Sequence, residues 1–183
     1  VPVANGVPAN LAWLNISVSA TGQYQCAQLN VVSTLYFSRD YGFTWSTTAS
    51  YEVVTGGDQS GYSLSLSATG NSLAVGAPYN DGGATGADRG HVRVYDYNPA
   101  TNLWPQRGAD NDGEASNDLA GWSVSLSADG STVAFGAPMN DKSDASGNPL
   151  PNTGSVRVFT VPVTNPITYT SSSSSIADIC GNL

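Results

Sequence analysis

The sequence predicts an all-β fold made of three blade-like antiparallel β-sheet repeats, and three observations carry that expectation. A 21-residue stretch occurs twice: residues 61–81 read GYSLSLSATGNSLAVGAPYND and residues 121–141 read GWSVSLSADGSTVAFGAPMND, with 13 of 21 positions identical at an ungapped offset of 60. Polar and apolar residues alternate with period two through the first part of each copy, as half-buried strands require. No helical period persists over any useful length. A repeat of this size signals supersecondary units that bury their apolar faces only by stacking on one another.

The elements follow in order. Residues 1–10 (VPVANGVPAN) hold two prolines and a glycine, and are expected to form an N-terminal arm or edge strand. From residue 11 to 20 the chain alternates, with Leu14, Ile16 and Val18 on one face and Asn15, Ser17 and Ser19 on the other. Its segment NISVSATG (15–22) resembles SLSLSATG (63–70) and SVSLSADG (123–130), so a third, worn copy precedes the other two, with spacings of 48 and 60 residues. In each clear copy a strand (62–67; 122–127) meets a turn at Ala68-Thr69-Gly70 or Ala128-Asp129-Gly130, where glycine supplies a positive φ. A second, small-residue strand (72–76; 132–136) ends at Ala77-Pro78 or Ala137-Pro138, because proline donates nothing to a ladder. A polar Gly/Asp/Asn loop and a third strand follow, GHVRVYDY at 90–97 and GSVRVFTV at 154–161. The offset has grown to 64, which places a four-residue insertion in a surface loop. A short fourth strand is expected around Leu103-Trp104. The repeats thus run over about 11–55, 56–115 and 116–160, followed by a Ser/Thr-rich strand or tail at 161–183.

The pattern SLSADGSTVAFGAP…ND…GSVRVF resembles the FG-GAP repeat, the blade of integrin-α-type β-propellers, over about residues 61–159, and more weakly over the first sixty. That resemblance implies a propeller-like assembly in which some blade loops bind calcium and the ring face binds proteins or glycans. Three copies are fewer than the roughly four to eight blades that close a ring. The alternatives are closure with another chain and a three-sheet prism closed within this one. The octet SRDYGFTW at 38–45 matches the Asp-box at Ser38, Asp40, Gly42, Thr44 and Trp45. The resemblance implies a structural hairpin turn on a blade, with Ser38 and Asp40 bonding turn amides and Trp45 packed beneath.

Six basic residues stand against fourteen acidic ones, for a net charge of −8. This excludes the Lys/Arg clusters that nucleic acid or an anionic membrane demands. No apolar run is long enough to span a bilayer, and the absence of an initiator Met and of a signal-peptide pattern at Val1 suggests a mature chain whose leader has been removed. Twelve of the acids are Asp, which suits either a hard cation such as calcium or a soluble secreted surface. The Asp110-Asn111-Asp112-Gly113-Glu114 run, with Asp118 beyond it, offers alternate oxygen ligands around a glycine turn; a calcium loop and a plain Asp/Asn/Gly turn both fit it. No cofactor is required by the pattern, calcium being the one candidate. His91 is the only histidine, and its repeat counterpart is Ser155, so a surface strand position is expected. No nucleophile, paired carboxylates or arginine cluster of a sialidase stands out.

Cys26 and Cys180 are expected to form a disulfide, within the chain or between subunits, in an oxidising extracellular or cell-surface setting. Asn15 heads the only N-glycosylation sequon, and Thr164, Thr168, Thr170 and Ser171, Ser172 and Ser173 are candidate O-glycan sites. These readings lead to a secreted, non-enzymatic structural or adhesive module. In it, residues 1–8 or 161–170 would add as strands to neighbouring copies and build filaments. The alternative is a lectin-like or protein-binding propeller module using loops 82–88 and 141–151, with exposed Trp104 or Tyr79 as sugar platforms, and a glycosidase relative comes third. Partners would be copies of itself, glycans or surface proteins.

Overall fold

The computed structural model describes residues 12–29, 34–47, 57–82 and 87–161. They form three antiparallel sheets in which strands follow one another in sequence order. Blade 1 holds β1 (Trp13–Val18), β2 (Gln25–Leu29), β3 (Leu35–Ser38) and β4 (Ser46–Thr47). Blade 2 holds β5 (Ser63–Leu66), β6 (Ser72–Ala77), β7 (His91–Asp96) and β8 (Gln106–Asp112). Blade 3 holds β9 (Ser123–Leu126), β10 (Thr132–Ala137) and β13 (Ser155–Thr160). The inserted loop of blade 3 folds into its own small hairpin, β11 (Lys142–Ser143) with β12 (Pro149–Leu150). No described helix is long and apolar enough to cross a membrane.

The duplicated stretch forms the first two strands of blades 2 and 3 in the same register: Leu64 faces Val75 and Leu66 faces Leu73, as Val124 faces Phe135 and Leu126 faces Val133. β6 is buried throughout because it lies between two neighbours, and its alternation divides it between them. Leu73 and Val75 join Cys26, Leu35, Phe37, Leu64 and Leu66 in the core between blades 1 and 2. Ala74 points the other way and joins Val92, Val94, Leu126 and Phe135 between blades 2 and 3. Each such leucine contributes about 2 kcal/mol by leaving water.

Polar bonds repeat across the two seams. The Leu66 amide donates to Ser17 Oγ and the Leu126 amide to Ser65 Oγ, both at 2.9 Å. The Ala20 amide donates to the Ala68 carbonyl at 3.0 Å and the Ala68 amide to the Ala128 carbonyl at 2.9 Å. Gly70 and Gly130 sit so tightly on the preceding blade that an added Cβ would lie 2.4 Å from Tyr24 and 2.7 Å from Ser72. The second seam also holds the buried Arg107, which pairs with Asp96 at 3.0 Å and donates to the Gly130 carbonyl. The outer faces of blades 1 and 3 stay exposed at Ile16, Val18, Val156 and Val158, so the described residues form an open series of blades and not a closed prism.

Two boundaries differ from the sequence expectation. The fourth strand of blade 2 begins after Pro105, at Gln106, while Leu103 makes only an isolated bridge to Asn98. Trp104 is then buried against Phe37, their rings stacked at 4.8 Å, and cannot serve as an exposed sugar platform. The 110–112 segment, expected in a loop, is consequently the end of β8.

Candidate metal centre

β7 and β8 pair with His91 opposite Asp112, and residues two apart share a face, so His91 and Arg93 meet Asp110 and Asp112. The register slips between Val92 and Val94, where their partners Asn111 and Arg107 lie four residues apart. Gly108 takes φ 77° within this bulge. The detour brings Asp110 against Arg93, which donates to its two carboxylate oxygens from Nε at 2.8 Å and from Nη2 at 2.7 Å. Gln106 adds a third bond at 2.7 Å. Chiefly through the Arg93 hydrogen bonds, with Gln106 and the nearby positive charge assisting, the Asp110 carboxyl is lowered to about 2.

One ligand atom each from His91, Asp110 and Asp112 lies within 4.8 Å of the others. An imidazole nitrogen and two carboxylate oxygens form a donor set for a divalent ion of borderline softness. His91 is buried in the blade, not exposed on it as the sequence suggested. The signal that could have found it is its strand pairing: GHVRV opposite a DND segment places a histidine among carboxylates once the two are read as neighbouring strands. The site lies beside blade 3, whose Arg157 donates to the Asp112 carbonyl at 2.6 Å.

The other two candidate ligands are engaged elsewhere. Asp118 Oδ2 accepts from the Glu114 and Ala115 amides at 2.9 and 2.8 Å and from Asn140 Nδ2 at 2.8 Å. Blade 2 repeats the last contact, Asn80 donating to Asp58 at 2.8 Å, so this pair ties each blade's entry turn to its Ala-Pro turn. Glu114 accepts from Asn140 at 3.2 Å and pairs with Lys142 at 3.3 Å. The structure therefore brings Asp110 and Asp112 together with His91, and directs Glu114 and Asp118 to the adjoining loop.

The 38–45 turn is held as a unit. Ser38 Oγ donates to Asp40 at 2.9 Å and accepts from the Gly42 amide at 2.8 Å, Asp40 accepts from the Thr44 amide at 2.8 Å, and the Trp45 indole donates to the Gly42 carbonyl at 3.1 Å. A cavity of about 110 Å³ opens beside it, lined by Arg39, Thr44, Tyr97 and Asn102, with the Arg39 guanidinium 3.1 Å from the centroid of the Tyr97 ring. Cys26 is fully buried and has no disulfide partner among the described residues, and as a thiol its pKa is raised by burial well above the ordinary value. Its expected partner Cys180, the candidate O-glycan sites and both terminal arms lie outside the described residues. Asn15 Nδ2 donates to the Tyr62 carbonyl at 3.1 Å across the first seam.

No protein-family model and no curated protein matches the sequence. Among solved structures the chain is similar to the hydrazine synthase of Kuenenia stuttgartiensis, at 15% identity and TM-score 0.46, covering 80% of this chain and 37% of that one. It is also similar to a putative 6-phosphogluconolactonase from Bacteroides uniformis (13%, TM-score 0.45, 85% and 45% covered). A third is the periplasmic gluconolactonase of Pseudomonas aeruginosa (16%, TM-score 0.47, 85% and 45% covered). The chain thus spans less than half the length of these structures.

All three carry the names of enzymes, and this overturns the expectation that the chain is no enzyme but a non-enzymatic structural or adhesive module. That expectation rested on the missing catalytic motif. Blade sheets serve catalytic and non-catalytic proteins alike, so neither the repeat nor the lack of a motif excludes an activity. No activity of those proteins is carried over to this chain.

Proposed function

We propose that this run of β-blades binds a divalent metal ion through His91, Asp110 and Asp112. The observation that carries the reading is the convergence of their three ligand atoms within 4.8 Å on two paired strands. Arg93 and Gln106 already bond both oxygens of Asp110, so His91 and Asp112 are the principal ligands and Asp110 supplies a further oxygen through a remaining lone pair. An imidazole in the set favours zinc-like ions over calcium, which prefers oxygen ligands alone. Calcium is the second reading, supported by the Asp110 and Asp112 carboxylates. An FG-GAP-type identity and an extracellular setting are part of the same proposal, supported by the repeated GAP…ND…VRV grammar and by a single lysine in 183 residues.

Chelator-treated protein titrated with zinc and with calcium, by calorimetry and thermal melting, tests this. At a hundredfold excess over Kd the bound ion stabilises by about 2.7 kcal/mol, a rise of roughly 5–10 °C for a chain of this size. His91→Gln and Asp112→Asn are expected to abolish the heat while the far-UV spectrum is kept. Absence of heat and of any melting shift with both ions would falsify the reading.

A further inference from the structure

The open faces at the two ends of the blade series are the two halves of the joint that the molecule already makes twice inside itself. Position by position, Ile16 and Val18 in blade 1 correspond to Leu64 and Leu66 in blade 2 at the 48-residue offset. Leu64 and Leu66 are 8% and 9% exposed because blade 1 covers them, whereas Ile16 and Val18 are 58% and 48% exposed. At the other end, Val156 and Val158 correspond to Val92 and Val94 at the 64-residue offset. Val92 and Val94 are fully buried under blade 3, whereas Val156 and Val158 are 77% and 64% exposed.

The polar parts of the joint match as well. Ser17 and Ser65 accept the next blade's amide, and their counterpart Ser125 is exposed on blade 3. Ala20 and Ala68 donate to the next blade's turn, and their counterpart Ala128 is exposed too. Gly70 and Gly130 press against the blade before them, while an added Cβ on their counterpart Gly22 would meet nothing within 4 Å. Among the described residues, leading and trailing halves are therefore present once each, unfilled.

We propose that a second copy of this chain fills both, its blade 1 docking on blade 3 and its blade 3 on blade 1, to give a closed two-fold dimer. A second copy continues an interface the protein already builds: each half has its complement on the same chain, so one further copy brings both. Two copies satisfy both joints and stop, since a two-fold arrangement leaves no half open. Six blades result, within the range of about four to eight at which rings of blades close. This contact is face to face between sheets, without exchange or addition of a strand.

Sedimentation analysis of the whole chain across a concentration series tests the proposal. The expected species is a dimer of twice 18.8 kDa. Val156→Asp with Val158→Asp is expected to give monomer with an unchanged far-UV spectrum and melting curve, because both side chains are exposed in the isolated chain. Val18→Lys combined with Val158→Asp places opposite charges across each joint and should recover part of the dimer that Val158→Asp alone loses. A monomer at every concentration overturns the proposal. A dimer indifferent to the valine changes, or an unlimited polymer in place of a dimer, overturns it equally.

Discussion

Leu66 and Val18 occupy the same place in two blades, and their surroundings could hardly differ more. Leu66 lies in the sealed seam between blades 1 and 2, among Cys26, Leu35 and Phe37, while Val18 faces outward from the first blade. Both sit in a serine-alternating strand followed by a glycine turn, so the local sequence is nearly the same. What differs is that, among the described residues, a preceding blade covers Leu66 and none covers Val18. A blade is a unit whose cores exist only between copies, and the same alternation therefore makes an interior in the middle of the series and an exposed apolar face at its ends.

The largest effect expected from this contrast is on stability. Leu66→Ala removes a buried side chain from a packed core and is expected to cost about 3 kcal/mol, from lost transfer energy and the cavity left behind. Val18→Ala in the monomer is expected to stay within about 0.5 kcal/mol, as for an exposed position. Urea melts of the two variants in the Val156→Asp, Val158→Asp background keep association out of the measurement. Equal costs would mean that the first blade's outer face is packed after all.

The turn glycines sharpen the same contrast at a smaller scale. Gly22, Gly70 and Gly130 all take positive φ, at 77°, 70° and 76°, so alanine is strained at each by about 1 kcal/mol. At Gly70 the new Cβ would also fall 2.4 Å from the Tyr24 Cβ, which has no free rotor to yield, adding about 1–3 kcal/mol of overpacking. Gly70→Ala should thus lower the melting temperature clearly more than Gly22→Ala. If the two shifts coincide, backbone strain alone explains the glycines and the joint plays no part.

How far the sequence could be read follows from where each interaction is encoded. The strands and their turns were legible because alternation and glycine are local signals: the 61–81 and 121–141 copies fold in the same register. The seams were not legible, because Ser17, Ser65 and Ser125 look like ordinary outward-facing serines until the next blade's amide is placed over them. The candidate metal centre was half visible. Asp110 and Asp112 were singled out, but as a loop with Glu114 and Asp118, since a DND run reads as a turn unless its pairing with β7 is known. His91 was missed for the same reason, a single histidine on a strand giving no sign of what lies on the strand beside it. The sequence puts Trp104 on the surface because a strand expected at Leu103-Trp104 ends the turn after β7 too early; the turn runs on to Pro105, and Trp104 packs into the first core.

The smallest effect distinguishes the covered turn of blade 2 from the open turn of blade 3. In blade 2 the Ala68 amide donates onward to the Ala128 carbonyl of blade 3, and the following Thr69 shares a neutral contact with Ser67 at 3.3 Å. In blade 3 the corresponding residue is Asp129, which accepts from Ser127 Oγ at 2.6 Å and from the Ser131 amide at 3.0 Å. These bonds favour the charged form, that of Ser127 first, and lower the Asp129 pKa from 3.8 to about 2. A carboxylate whose folded pKa is depressed stabilises the fold above the unfolded value and loses that contribution as pH falls through the folded one. The stabilisation from Asp129 is therefore full above about pH 4 and disappears on the way down to about pH 2. Asp129→Thr, which copies the blade 2 turn, should melt below the parent at pH 5 and together with it at pH 2. A gap that stays constant between these pH values would show that the ionised form adds nothing, and that a neutral hydroxyl holds the open turn as well as it holds the covered one.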